Sequence, residues 1–202
     1  MPKTPTLIFA VAALSAGSAC AAPYPSAGLA PDPVYVRQAD PRARELAPIP
    51  APQDSRPSDE VEARVLRAHN VERARVGAAP LIWEDGLERE ARAWAEQLLA
   101  TNSFAHDPSP HGHGENLWTG WGGRTWTPEE MVGEWIAEKA QYRHGVFPAV
   151  SRTGDWTVVG HYSQLVWSRT THVGCALVRR GDRSVLACRY SPPGNIDGLR
   201  AY

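Results

Sequence analysis

Residues 160–195, GHYSQLVWSRTTHVGCALVRRGDRSVLACRYSPPGN, contain the pattern that decides the fold. Two short runs rich in β-forming residues flank Gly181 and Asp182, a pair that favours a two-residue hairpin turn. The register set by this turn places Cys175 opposite Cys188 in a non-hydrogen-bonded pair, where the α-carbons approach closely. The sequence therefore predicts an antiparallel hairpin with a cross-strand disulfide, rather than two buried free thiols.

Three helices are predicted upstream of this hairpin. Asp59 begins the first with a capping box, and Gly77 ends it. Asp85 is predicted to cap the second helix. Thr127, followed by proline and two glutamates, begins a third helix that runs on to Tyr142. Helices interleaved with short strands predict an α+β domain, layered α-β-α.

The first 57 residues differ in composition from the rest of the chain. Residues 1–22 contain one lysine, a short apolar run and then small residues, which predicts a cleaved secretory signal peptide. Residues 23–57 hold nine of the 18 prolines and predict an extended, disordered linker, so the folded domain is expected at 58–202. Export to a secreted or periplasmic location favours oxidation of the two remaining cysteines. Lipid anchoring at Cys20 is the alternative.

The overall charge of the chain excludes one class of partner. Formal net charge is −1 and the pI is about 6.7, so no basic field attracts nucleic acid. The apolar run of the leader is too short to cross a bilayer, and no transmembrane segment is expected.

Histidines and glutamates are the candidate functional residues. They are His106, His111, His113, Glu115, Glu138, His144 and His161. None of them forms a known local metal motif such as HExxH. His111 and His113, in a glycine-rich loop, fit a local metal chelate or a solvated turn equally. Spacing alone does not identify a function.

Six segments resemble the CAP superfamily, which comprises cysteine-rich secretory proteins, antigen 5 and plant pathogenesis-related 1 proteins. They are GHYSQLVW (160–167), HVGCA (172–176), CRYSPPGN (188–195), GENL (114–117), HN with Arg73 (69–73) and WIAEKAQY (135–142). The last segment is similar to the plant pathogenesis-related 1 version of helix three. Together these motifs cover nearly all of residues 58–202.

This resemblance implies an α-β-α sandwich, the CAP or SCP fold, with a large central cleft. It also implies that His106, Glu115, Glu138 and His161 meet in that cleft. In the family, the two histidines can bind a divalent metal, commonly zinc, with the acids nearby; neutral imidazoles suit this ion. The alternative is that the His–Glu pairs only form hydrogen bonds that hold the segments in register. His69 is expected to make a hydrogen bond in the core rather than bind metal.

Two functions fit the resemblance. The first is a secreted binding module for a lipid, a sterol or another extracellular ligand. The apolar and aromatic residues around Trp118–Trp126 would line its surface or, as is their default use, cover the core. The alternative is a metal-dependent peptidase or esterase in which Glu115 or Glu138 activates water. A structural domain with a vestigial cleft is a third possibility. Arg189 departs from the family pattern, which has asparagine there, and the tail 192–202 matches the released plant peptide only weakly.

Overall fold

The computed structural model describes residues 60–202. The predicted signal peptide, Cys20, the proline-rich linker and the Asp59 cap lie outside the described residues. The elements, in order, are α1 (Glu60–Arg75), β1 (Ile82–Trp83), α2 (Asp85–Ala100), β2 (Gly114–Gly120), α3 (Pro128–Ala137), a 3₁₀ turn (Glu138–Ala140), a second 3₁₀ turn (Trp156–Val159), α4 (Gly160–Leu165), β3 (His172–Arg180) and β4 (Arg183–Ser191). Among the described residues, no helix has the length and apolar character needed to cross a membrane.

The four strands form one sheet in the order β1-β3-β4-β2. Strands β3 and β4 form the predicted antiparallel hairpin, with Cys175 directly opposite Cys188. The two cysteines form a disulfide, and their α-carbons are 4.0 Å apart, as a non-hydrogen-bonded pair requires. The register prediction is confirmed. Strand β2 pairs only with β4 among the described strands and forms one edge of the sheet.

Helix α2 covers one face of the sheet. Its Ala91, Ala95 and Leu98 are fully buried against Leu117 of β2 and Ala187 of β4. Small residues on the helix allow close packing against the strands, and burial of this apolar face fixes the helix to the sheet.

Helices α1, α3 and α4 cover the other face. Val65, Trp135 and Leu165, one from each helix, lie in the larger core cluster with the Cys175–Cys188 disulfide. Helices on both faces of the sheet confirm the predicted α-β-α layering.

Two details of the predicted helices are wrong. Glu84, not Asp85, occupies the N-cap of α2, because its backbone N–H is held by Val173 C=O of β3. The capping box of Thr127 and Glu130 is confirmed, but α3 ends at Ala137 and does not reach Tyr142. The chain tightens there into the 3₁₀ turn, whose side chains bind residues of α4 and α1.

Candidate functional site

His106 is oriented by a buried carboxylate. Its Nδ1–H donates to Glu115 Oε1 at 2.5 Å, and the Asp107 backbone N–H donates to the same oxygen at 3.2 Å. The Glu115 side chain is 4% exposed, whereas that of His106 is 33% exposed. Because Nδ1 is held by the carboxylate, Nε2 is the ring nitrogen that His106 offers to a ligand.

His161 is oriented in the same way from another part of the chain. Its Nδ1–H donates to Glu138 Oε1 at 2.6 Å, and the Tyr162 backbone N–H donates to Glu138 Oε2 at 3.0 Å. The imidazole stacks on Trp135, with ring centroids 6.0 Å apart and planes 17° from parallel. Two contacts therefore fix the ring, and Nε2 is again the nitrogen offered.

Neighbouring residues of β2 hold both histidine segments. Glu115 holds His106, and the next residue, Asn116, donates from Nδ2 to the His161 C=O at 3.1 Å. Glu115 and Asn116 are consecutive residues, so the two segments are held at adjacent positions of β2. The structure thus arranges the four predicted residues as two histidine–carboxylate pairs tied to one strand.

Arg189 completes the first pair and was not predicted as a site residue. It lies opposite Glu115 in the β2–β4 register, with its side chain 1% exposed. Its Nη1 is 2.8 Å from Glu115 Oε2, and its Nη2 donates to Asp107 Oδ2 at 2.5 Å. The sequence feature that could have identified it is an arginine inside an apolar strand, since a buried charge requires a partner.

An ion cluster around the buried Glu72 fastens the turn that carries Glu138. Lys139 Nζ donates to Glu72 Oε1 of α1 at 2.7 Å, and Arg75 Nη1 donates to Glu72 Oε2 at 2.9 Å. Burial of Glu72 acts to raise its pKa, but the hydrogen bonds from Lys139 and Arg75 prevail and lower that pKa. The cluster therefore contains an ionised carboxylate that anchors the turn to α1.

His69 is buried in the core, as predicted. A carbonyl only accepts, so Nδ1 carries the proton and donates to Val65 C=O at 2.8 Å. Nε2 then accepts from the Tyr190 hydroxyl, also at 2.8 Å. Burial lowers the pKa of His69 to about 4.

This lowered pKa predicts a loss of stability in acid. The unfolded chain takes up a proton on His69 near pH 6.5, whereas the folded protein resists protonation until about pH 4. The stabilisation is complete above pH 6.5 and falls by about 3 kcal/mol as the pH drops through this window. Urea unfolding at pH 7 and pH 4 measures it. Between the two pH values, the free energy of unfolding of His69→Gln should fall by about 3 kcal/mol less than that of the parent chain. Equal losses in the two proteins would contradict the assignment.

The glycine-rich loop is separate from both pairs. His111 is exposed, and His113 Nδ1–H donates to Glu90 Oε2 of α2 at 2.9 Å. Within residues 60–202, no three His, Cys, Asp or Glu side chains converge as a ready-made metal site. Among the described residues, therefore, neither the loop nor the set of His106, Glu115, Glu138 and His161 forms a ready-made chelate.

The tryptophans of residues 118–126 do not form one surface. Trp118 is 3% exposed and donates from Nε1 to Glu134 Oε2 at 2.9 Å, so it belongs to the core. Trp126 packs edge-on against it, while Trp121 is exposed. Trp118 thus takes the default core role and not the lining role, because its ring fills the space between α3 and the sheet.

Comparisons with known proteins agree on one family. The model of the cysteine-rich secretory protein family, CAP, matches residues 66–190. Pathogenesis-related protein PR-1 of Medicago truncatula is 39% identical over 140 residues, covering 68% of this chain and 76% of that protein. Pathogenesis-related protein 1C of Nicotiana tabacum is also 39% identical over 140 residues, covering 68% and 78%.

Solved structures show the same fold. The crystal structure of NaASP2 with Zn²⁺ aligns with a TM-score of 0.61 at 23% identity, over 72% of this chain and 86% of that one. Schistosoma mansoni venom allergen-like protein 4 aligns with a TM-score of 0.54 at 22% identity, over 71% and 94%. With a matching family model and relatives of this similarity, the chain belongs to the cysteine-rich secretory protein (CAP) family.

Proposed function

We propose that this chain is an extracellular binding module in which His106 and His161 together hold a divalent metal ion, with zinc the best-suited ion. The observation that carries the proposal is that a carboxylate holds Nδ1 of each histidine, which leaves Nε2 for a metal. Carboxylates commonly orient zinc-binding histidines in this way. Two imidazoles leave coordination positions for water or a bound ligand. The related fold of NaASP2 was solved with Zn²⁺.

The surroundings of the two carboxylates favour binding over hydrolysis. Glu115 is buried and engaged by His106, by the Asp107 N–H and by Arg189. Glu138 is engaged by His161 and by the Tyr162 N–H. A general base needs a lone pair directed at water, whereas Glu115 Oε1 and both Glu138 oxygens accept from protein donors. Glu115 Oε2 accepts no hydrogen bond within residues 60–202, but it is buried beside Arg189. Their role in the proposal is to orient the histidines.

The proposal also includes export of the chain and binding of an apolar ligand. The leader-like residues 1–22, the family and the Cys175–Cys188 disulfide all favour an oxidising, extracellular setting. Phe104, two residues before His106 in the sequence, is 47% exposed, and we propose that a lipid or sterol ligand would cover this ring.

Two measurements on the full-length chain test this proposal. Labelled fatty acid and sterol should bind saturably, and Phe104→Ser should weaken that binding about tenfold, because it removes the exposed ring that the ligand would cover. The exposed control Val71→Ser should have no effect. Lack of saturable binding across a lipid panel contradicts the lipid assignment. Peptide or ester hydrolysis that is lost in Glu115→Gln and Glu138→Gln, but kept in the exposed Glu96→Gln, would favour the hydrolase instead.

A further inference from the structure

A pocket of about 340 Å³ lies between α2 and residues 107–111. Its walls include Glu90 and Trp94 from the helix, Asp107 from the loop and Arg189 from β4. None of the four residues of the two histidine–carboxylate pairs lines it. The volume is at the lower end of the range for ligand pockets, roughly 300–1,000 Å³, so a ligand must be small.

We infer that this pocket binds a small organic cation with a substituted ammonium group and an oxygen atom. The inference goes beyond the proposed metal and lipid functions and does not depend on them. It rests on three features of the pocket: an aromatic wall, an excess of carboxylates and an unpaired buried donor.

The aromatic wall is a fixed indole ring. The lining residues of α2 follow helical spacing on one face, and alanine at position 93 leaves room in front of Trp94. Trp94 Nε1–H donates to Ala105 C=O at 3.1 Å, so the ring is held in place and its polar group is already used. The ring therefore contributes its π surface, which attracts a cation.

The charges around the pocket also favour a cation. Glu90 and Asp107 line it, and the Arg189 guanidinium is already neutralised by Asp107 and Glu115. The charged lining thus contains two carboxylates and one arginine, with His111 as a further titratable group, and Glu115 pairs with the same arginine outside the lining. Glu90 accepts from His113 through Oε2, and its carboxylate attracts a cation by charge, whether or not that cation carries an N–H. An anionic ligand would be repelled by this arrangement.

The unpaired donor is the reason for expecting an oxygen atom in the ligand. Arg189 Nε and Nη1 are buried and make no hydrogen bond within residues 60–202, and Nη1 lies 2.8 Å from Glu115 Oε2, so Nε is the atom with no charged group beside it. A buried donor without a partner is unfavourable, and a hydroxyl or carbonyl oxygen of a ligand would satisfy it. Choline, which carries a quaternary ammonium and one hydroxyl, is the simplest probe with both groups.

Calorimetric titration of the full-length chain with choline tests the inference. The matched probe is 3,3-dimethyl-1-butanol, which has the shape and the hydroxyl of choline but no charge. We expect saturable binding of choline and at least about tenfold weaker binding of the neutral probe. Equal affinity for the two probes, or lack of saturable choline binding, would overturn the inference.

Variants then locate the site. Glu90→Gln and Trp94→Leu should each raise the Kd for choline about tenfold, whereas Glu96→Gln removes an exposed carboxylate of the same helix and should leave the Kd unchanged. Trp94 also packs on the core, so Glu90→Gln decides the outcome if Trp94→Leu fails to fold. Equal Kd values for Glu90→Gln and Glu96→Gln would refute the assignment. Because the pocket is distinct, His161→Ala should still bind choline even if the proposed metal site fails.

Discussion

Replacing Gly174 with alanine is expected to lower the free energy of unfolding by about 3 kcal/mol or more. Gly174 lies in β3, where helix α2 begins against the sheet. A β-carbon there would lie 2.2 Å from Glu88 N and 2.5 Å from Glu84 O. Both are backbone atoms, so relief requires a shift of the helix itself rather than of a flexible side chain.

Gly133→Ala is the matched control. Gly133 lies inside α3, and an added β-carbon meets nothing within 4 Å. Alanine in a helix interior is favoured over glycine by roughly 0.5–1 kcal/mol, so this variant should be slightly more stable than the parent. Urea unfolding of both variants measures the difference. If Gly174→Ala is as stable as the parent, α2 does not pack as closely on β3 as described.

The second large effect is expected for Arg73→Met, whose free energy of unfolding should be lower than that of the parent by about 4 kcal/mol or more. Arg73 of α1 is fully buried, and burial lowers its pKa to about 10, so it remains charged at neutral pH. Its guanidinium donates to four backbone carbonyls at 2.7–3.0 Å. These belong to Ala79, Leu165, Trp167 and Thr170. Methionine fills similar space but leaves all four acceptors without this donor.

Arg67→Met serves as the control for Arg73→Met. Arg67 is an exposed residue of the same helix, and its replacement should change stability by no more than about 0.5 kcal/mol. The stability of Arg73→Lys should lie between those of Arg73→Met and Arg67→Met, because one ammonium cannot reach all four carbonyls. Equal unfolding midpoints for Arg73→Met and Arg67→Met in urea would show that the carbonyl contacts contribute little.

The sequence alone predicted the features of the fold that depend on residues close together in the chain. The turn at Gly181 and Asp182 fixes the hairpin register by counting, so the Cys175–Cys188 pairing followed from the sequence. The capping box at Thr127 likewise needs only residues within one helical turn. Family motifs supplied the residue types of the site, and both histidine–carboxylate pairs are formed.

The features that the sequence did not predict depend on contacts between residues far apart in the chain. Strand β2 was not recognised, because pairing with β4 rather than its own residue pattern makes it a strand. The end of α3 depends on Lys139 reaching Glu72, 67 residues away. Arg189 joins the site through Asp107, 82 residues away, and such a pairing appears only once the sheet is assembled.

Zinc titration of four single histidine variants tests the central claim most directly. His106→Ala and His161→Ala each remove a proposed ligand, and both side chains are about one-third exposed, so the domain should remain folded. Each should weaken zinc binding by at least about 100-fold, since loss of an orienting partner alone costs 10–100-fold. His111→Ala and His113→Ala should bind zinc like the parent chain. If these two lose zinc while His106→Ala and His161→Ala keep it, the metal belongs to the glycine-rich loop and the proposed site is wrong.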